Sequence, residues 1–264
     1  NVLCVSTNFW CEPTGIAVYT TDLAESLNEA GYSVSVLTSL PHYPWWKIPE
    51  KYLHLTEGSM VQNGIQVIRA KHYIPSKMNA LIRIRFENSL WWNLYKYSNR
   101  FKASEFDLVI ACIPTLAAGV VGKRIASKLG LPFGLIVQDL SGAGAKQSGL
   151  RGGTLISKIA QALETNILKA ARKVVVVSIA MKEAVLGIGV KSARISKILN
   201  YSAIEVAPLN RDQARSQFGW AAEEFLVLHT GNIGTKQNLE NVVLASEALV
   251  NHPQIKIYLV GHGN

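Results

Sequence analysis

Short apolar runs alternate along this chain with longer segments whose apolar positions recur every three or four residues. Val2 to Val5 is the first run, and a loop over residues 7 to 15 with Pro13 and Gly15 follows it. The spacing of Val18, Leu23 and Leu27 predicts a helix over about Ile16 to Ala30, stopped by Gly31, and Val34 to Leu37 is the next strand. Strand, helix and strand in this order are the sign of a parallel sheet. The pattern continues with a strand at Ile65 to Ala70, a helical stretch over 78 to 102 and a continuous apolar strand at Leu108 to Cys112. A helix from Thr115 to Leu129 and a strand from Phe133 to Val137 come next. Beyond the small-residue loop Ser141 to Gly149 lie a helix over Leu155 to Ala171, a strand at Val174 to Val177 and a strand at Ile195 to Leu199. Ser178 is placed to cap the helix between those last two strands. Strands that are apolar throughout are covered on both faces, so the expected class is α/β with a doubly wound parallel sheet.

The pattern divides the chain. Residues 1–200 form one Rossmann-like domain, and 201–223, with Pro208 and several charges, read as a linker. Residues 224–264 open a second unit: a strand at Phe225 to Leu228, a glycine loop, a helix over Gln237 to Val250 and a strand at Ile255 to Val260. One strand–helix–strand unit cannot cover both faces of a parallel sheet. The expectation is therefore that the second domain is incomplete and the chain a piece of a longer protein.

Composition narrows the partners. The 264 residues are 48% hydrophobic and 17% charged, with a net charge of +9. That excess of cations suits a phosphorylated ligand, an anionic membrane surface or nucleic acid. Cys4, Cys11 and Cys112 are the three cysteines, and without a CxxC spacing they support neither a disulfide framework nor a zinc site. A reducing cytoplasm fits them. No apolar run reaches the ~18 residues of a spanning helix.

The stretch 78 to 102 sets Met78, Leu81, Ile82, Ile84, Phe86, Leu90, Trp91, Trp92, Leu94 and Tyr95 among Arg83, Arg85, Lys96, Arg100 and Lys102, with Glu87 its one acid. This is the composition of an interfacial helix on an anionic leaflet. The plain alternative is a core-facing amphipathic helix with a basic outer face. An RNA-binding surface would share these features, but no nucleic-acid motif accompanies them, and no nucleic-acid partner is expected.

Gly231 and Gly234 let the backbone turn between a strand and a helix start, where free N–H groups favour an anion. Lys236 in that loop makes sense beside a phosphate; an ordinary turn with a solvated lysine fits the same residues. The glycine spacing is too short for a Walker A loop, and no Ser or Thr follows the lysine.

Five stretches together resemble glycosyltransferase family 4, in particular its colanic-acid and capsular polysaccharide branch. They are Phe9-Trp-Cys-Glu-Pro-Thr-Gly-Ile16, Leu40-Pro-His-Tyr-Pro44, Val137-Gln-Asp-Leu140, Asn200-Tyr201 and Gly231-Asn-Ile-Gly-Thr-Lys-Gln237. The resemblance implies the GT-B fold and a retaining transfer of a sugar from a nucleotide-diphosphate donor to a lipid-linked saccharide acceptor. It further implies no metal and no cofactor, which the lack of an Asp-x-Asp motif matches. It places the protein at the cytoplasmic face of the membrane, with residues 78–102 against the anionic surface.

By motif position, Thr14, Gly15 and Ile16 would approach the donor, with Gly231, Asn232 and Thr235 on its other side. His42 and Gln138 would serve the acceptor, and Lys236 and Asp139 would be catalytic, the lysine neutralising the leaving diphosphate. Each has a plain structural counterpart: a helix N-cap loop for Gly15, an exposed loop histidine for His42, a loop cap for Asp139. The family's pair of glutamates, seven residues apart, is not reached by residue 264, so donor identity is not legible. A nucleotide-sugar 2-epimerase of the same fold and a non-catalytic binding module are the alternatives.

Overall fold

A computed structural model describes residues 1–13, 15–77, 80–140, 154–201, 208–234 and 237–263. It divides into two compact units, Asn1–Tyr201 and Ser202–Asn264.

The first unit is built on eight strands: β1 (Val2–Val5), β2 (Val34–Ser39), β3 (Gly58–Gln62), β4 (Ile65–Ala70), β5 (Leu108–Ile113), β6 (Phe133–Val137), β7 (Lys173–Val176) and β8 (Ile195–Lys197). Their order in the sheet is β3-β4-β2-β1-β5-β6-β7-β8. All neighbours are parallel except β3, which runs antiparallel to β4 at one edge. Among the described residues five α-helices connect them: α1 (Ile16–Glu29), α2 (Ala80–Ser98), α3 (Leu116–Leu129), α4 (Thr154–Ala170) and α5 (Ile179–Gly187).

Alternation along β1 shows why both faces of the sheet must be covered. Leu3 and Val5 enter a large buried cluster with Leu94 of α2, Val121 and Ile125 of α3, and Ile167 and Leu168 of α4. Val2 and Cys4 enter the opposite cluster with Ala24 of α1, Val36, Ile65 and Val67. Successive side chains of a strand point to opposite faces, so a strand covered twice is apolar at every position. The expected doubly wound sheet is what forms.

Two details differ from the sequence expectation. Strand β3 was not anticipated: it is an edge hairpin partner in which Ser59 and Val61 are exposed, so its apolar signal is thin. The basic aromatic helix spans Ala80–Ser98, with residues 78–79 outside the described residues, and one of its faces is core: Phe86, Leu90, Leu94 and Tyr97 are buried. The expected Ser141–Gly149 loop lies outside the described residues as well. Ser178 caps α5 as expected, accepting the Met181 N–H at 3.1 Å.

The second unit contains α6 (Arg211–Phe218), β9 (Phe225–Asn232), α7 (Glu240–Ala248) and β10 (Ile255–His262). Helix α6 falls within the segment read as linker. Asn210 and Gln213 form a reciprocal capping box at its start, 2.9 and 3.0 Å long. Trp220 holds this end of the unit together, stacking on Phe218 at 4.8 Å and tilting against Tyr258 at 5.5 Å. Strands β9 and β10 pair in parallel.

Candidate functional site

In an open parallel sheet, ligands bind beyond the carboxyl ends of the strands where the strand order reverses. Here that point lies between β1 and β5, from which the chain proceeds outward to β2 on one side and β6 on the other. The loops leaving both strands are tied together by the hydroxyls of Thr7 and Thr115, 2.9 Å apart. The β1 loop then runs to Gly15, the N-cap of α1, with φ 67° and ψ −145°. That backbone region is open essentially to glycine alone. A Cβ there would stand 3.6 Å from the Tyr43 ring. Ile16 is the first residue of α1, so both donor-side candidates sit where free helix N–H groups gather. Thr14 lies outside the described residues.

The loops after β1, β2 and β4 meet on a buried polar cluster that the sequence did not disclose. Glu12 is 4% exposed. Its Oε1 accepts the backbone N–H groups of His42 (2.7 Å) and Tyr43 (2.8 Å), and its Oε2 accepts from Asn8 Nδ2 (2.7 Å). One carboxylate thus fixes two loops through three donors.

Arg69, in β4 and 1% exposed, brings the opposite charge; it donates to the carbonyls of Ser39 (3.2 Å) and Trp10. Burial lowers its pKa, and the nearby Cys11 and Glu12 work against that.

His42 is also buried, at 3% exposure, and is not the exposed loop histidine its position allowed. Its Nδ1 lies 3.2 Å from the Leu40 carbonyl and 3.4 Å from Glu12 Oε1. Both are acceptors, which assigns the hydrogen to Nδ1. Burial lowers the His42 pKa; Glu12 and the Leu40 carbonyl oppose it.

His72 packs edge-on against His42, with ring centroids 4.5 Å apart. Neither of its ring nitrogens makes a hydrogen bond of ordinary geometry. Burial, reinforced by His42, pushes its pKa down to about 3, with the Ala70 backbone a minor opposing influence. What reaches the surface from this cluster is aromatic: Tyr43, 39% exposed, stands edge-to-face on Trp46 at 6.1 Å.

At the end of β6, Gln138 accepts a 2.7 Å hydrogen bond from Asn200 Nδ2, which follows β8. Two of the motif stretches, 62 residues apart, therefore meet beyond the carboxyl ends of β6 and β8. Asp139 is exposed, and its Oδ1 accepts the Leu140 N–H at 2.8 Å, a local cap.

In the second unit, Gly231 and Asn232 belong to β9 and not to the loop after it. Gly231 faces Gly261 across the strand pair, and a Cβ on Gly261 would collide with the Gly231 carbonyl. Close strand approach is thus one reason for these glycines. The loop proper turns at Gly234, whose carbonyl accepts from the Gln237 N–H at 2.9 Å. A Cβ on Gly234 would come within 2.8 Å of Asn232 Nδ2. The helix begins at Glu240, three residues later than Gln237, and carries an acid in its first turn. Thr235 and Lys236 lie outside the described residues.

The outer face of α2 carries Trp91 and Trp92 with Tyr95 stacked on both, at 5.6 and 6.0 Å. Lys96 lies over Trp92, and Arg124 of α3 lies over Tyr95. Among the described residues no helix is long and apolar enough to cross a membrane.

This arrangement is that of an α/β protein of the GT-B type. Residues 14–200 match the glycosyl transferase 4-like domain, and the chain belongs to that family. It is 29% identical to WcaI of Escherichia coli (strain K12), which is named for glycosyl transfer in colanic acid biosynthesis, over 99% of this chain and 66% of WcaI. Among solved structures it resembles sucrose-phosphate synthase from Thermosynechococcus elongatus, with TM-score 0.70 and 18% identity over 99% of this chain and 62% of that one. Anabaena HepE, solved with UDP and glucose, follows with TM-score 0.62 and 19% identity over 100% and 61%. The chain thus spans under two thirds of these relatives.

Proposed function

We propose that this chain is part of a retaining, metal-independent glycosyltransferase that moves a hexose from a nucleotide diphosphate to a lipid-linked saccharide in exopolysaccharide biosynthesis. It needs no cofactor beyond the donor itself, and it works at the cytoplasmic face of the membrane. The observation that carries the reading is the glycine-only backbone at Gly15, set at the N-terminus of α1 where the strand order reverses. A donor phosphate or sugar can approach that backbone without meeting a side chain. The family match and the UDP and glucose in the HepE structure's name support a nucleotide sugar as substrate.

In this reading Lys236, with Thr235, Gly231 and Asn232, faces the leaving diphosphate. Thr14, Gly15 and Ile16 serve the donor, at its phosphates or its transferred sugar, and Asp139 is catalytic. Gln138, held by Asn200, and the His42 loop serve the acceptor. Stabilising the leaving diphosphate is the main electrostatic task, and loss of one such group costs ~10²–10³ in rate. The test is transfer of labelled sugar from a panel of UDP- and GDP-sugars into lipid-extractable product by the protein carrying this chain. Lys236→Ala should lower the rate by about 10²-fold or more. A free nucleotide sugar altered at C2, made without acceptor, would instead establish the epimerase alternative.

The Trp91, Trp92 and Tyr95 face with Lys96 and Arg124 supports docking to an anionic leaflet, since aromatic rings and cations together favour the interface. Trp91→Ala with Trp92→Ala should release the protein from phosphatidylglycerol-containing vesicles in co-sedimentation. Undiminished binding would remove the helix from that role.

A further inference from the structure

We infer that Tyr43 is the surface on which a pyranose ring stacks, and that the Glu12 carboxylate fixes the loop that presents it. The inference rests on the glycosyltransferase reading and deepens it. His42, the acceptor-side candidate of this loop, is 3% exposed and turned into the cluster with His72 and Phe86. The side chain that the loop does offer to a ligand is the next one along. Tyr43 is 39% exposed, and its ring lies 3.6 Å from where a Gly15 Cβ would be. It therefore borders the open backbone at the start of α1.

Two observations show that this position is built and not incidental. The Tyr43 N–H is held at 2.8 Å by a carboxylate that is itself 4% exposed and also holds the His42 N–H and Asn8. Next, Trp46 takes a left-handed backbone, φ 51°, closed by its N–H bond of 2.6 Å to the His42 carbonyl. A bulky residue in that region is a true outlier, and such outliers collect at ligand sites. Trp46 meets Tyr43 in a T-shaped contact, interplanar angle 90°, which supports the ring from one side. An aromatic ring with a polar tip suits the apolar C–H face of a sugar, with the phenol free to reach a hydroxyl.

The pyranose can be that of the acceptor or that of the donor, and two arms separate them. The first is saturation-transfer NMR on the protein with methyl β-D-glucopyranoside and methyl β-D-galactopyranoside, without nucleotide. The second is UDP-glucose titration followed by tryptophan fluorescence. We expect Tyr43→Ala to weaken one of these about 3- to 10-fold, the range of a single aromatic contact, and Tyr43→Phe to stay within about twofold of wild type. A glycoside effect assigns the acceptor, a UDP-glucose effect the donor. Tyr32→Ala, another exposed tyrosine, serves as the control. Thermal unfolding of each variant checks the fold. Tyr43→Ala binding as wild type in both arms, or a wild type that binds neither probe, overturns the inference. Tyr43-dependent glycoside binding by a protein that never transfers sugar from a nucleotide would leave the inference standing and remove the transferase reading.

Discussion

The two sheets of this chain begin from the same pattern, an apolar strand followed by a glycine-bearing loop and a helix, and they use it differently. In the first unit β1 is buried at every position, between β2 and β5 and between two layers of helices. Its loop is held by Glu12, Arg69 and the Thr7–Thr115 pair, all at or below the surface. In the second unit β9 has one described partner strand, and Phe225 and Leu228 are 64% and 49% exposed. Its glycines are set by strand approach as much as by any ligand. The same letters carry site information only where neighbouring strands and helices hold their loop in one place.

The largest effect should come from cutting into the packed side of that comparison. Leu94 of α2 is fully buried, and Leu94→Ala should cost about 2–5 kcal/mol. Leu244 of α7, 60% exposed, should change stability by no more than about 0.5 kcal/mol when truncated. Urea unfolding read by hydrogen exchange resolves the units separately. Equal losses would mean that α7 is as deeply packed as α2.

Acid should act next, and on the first unit. The His72 pKa is about 3 in the folded state, against an ordinary value of 6.5. The unfolded chain therefore binds the proton first, and stability present above pH 6.5 is lost as the pH falls toward 3. The slope approaches ~1.4 kcal/mol per pH unit for one such histidine. His42, also lowered, adds to it in the same direction. His72→Leu removes two unpartnered nitrogens together with the titration. It should flatten the loss of stability between pH 6.5 and 4.5, measured as urea midpoints. Parallel curves for the two proteins would show that the acid sensitivity lies elsewhere.

Glycine substitutions sharpen the comparison by kind of backbone. Gly15 needs φ 67° with ψ −145°, and Gly15→Ala should cost about 1–3 kcal/mol. Gly219, which ends α6, sits at φ 68° and ψ 28°, a left-handed cap that asparagine tolerates. Gly219→Asn should be close to neutral, whereas Gly15→Asn should remain as damaging as alanine. Rescue of Gly15 by asparagine, seen as a restored melting temperature, would mean that its loop accepts an ordinary left-handed turn.

How far the sequence spoke depends on how much of each signal is local. Continuous apolar runs identify β1, β5 and β6 because a doubly covered strand has no polar position to spare. Ser178 was legible as a cap for the same reason: its partner is three residues away. Strand β3 was hidden because an edge strand with two exposed positions has nothing to alternate against. Helix α2 was read by composition, and composition cannot say which tryptophans turn outward; it carries both the core stripe at Phe86, Leu90 and Leu94 and the exposed Trp91 and Trp92. Glu12 stood inside a motif, and nothing one-dimensional marks it as the partner of residues 42 and 43. They meet because β2 lies beside β1. His42 was picked for its place in a motif, and that place does not disclose burial.

The smallest effect concerns two residues that the motifs did bring forward together. Asn200 donates to Gln138 at 2.7 Å in an exposed setting, so water competes for both groups. Asn200→Ala should therefore cost about 0.5–1.5 kcal/mol of stability at most. The informative readout is different. If the bond serves to aim the Gln138 carbonyl amide at an acceptor, Asn200→Ala and Gln138→Ala should raise the acceptor KM alike, and the double variant should add little to either. If the two residues act independently, their effects on KM should multiply. A double-mutant cycle on transfer rates decides between a positioned pair and two neighbours. It does so at a place where the candidate site is held by a solvent-facing hydrogen bond and not by a buried carboxylate.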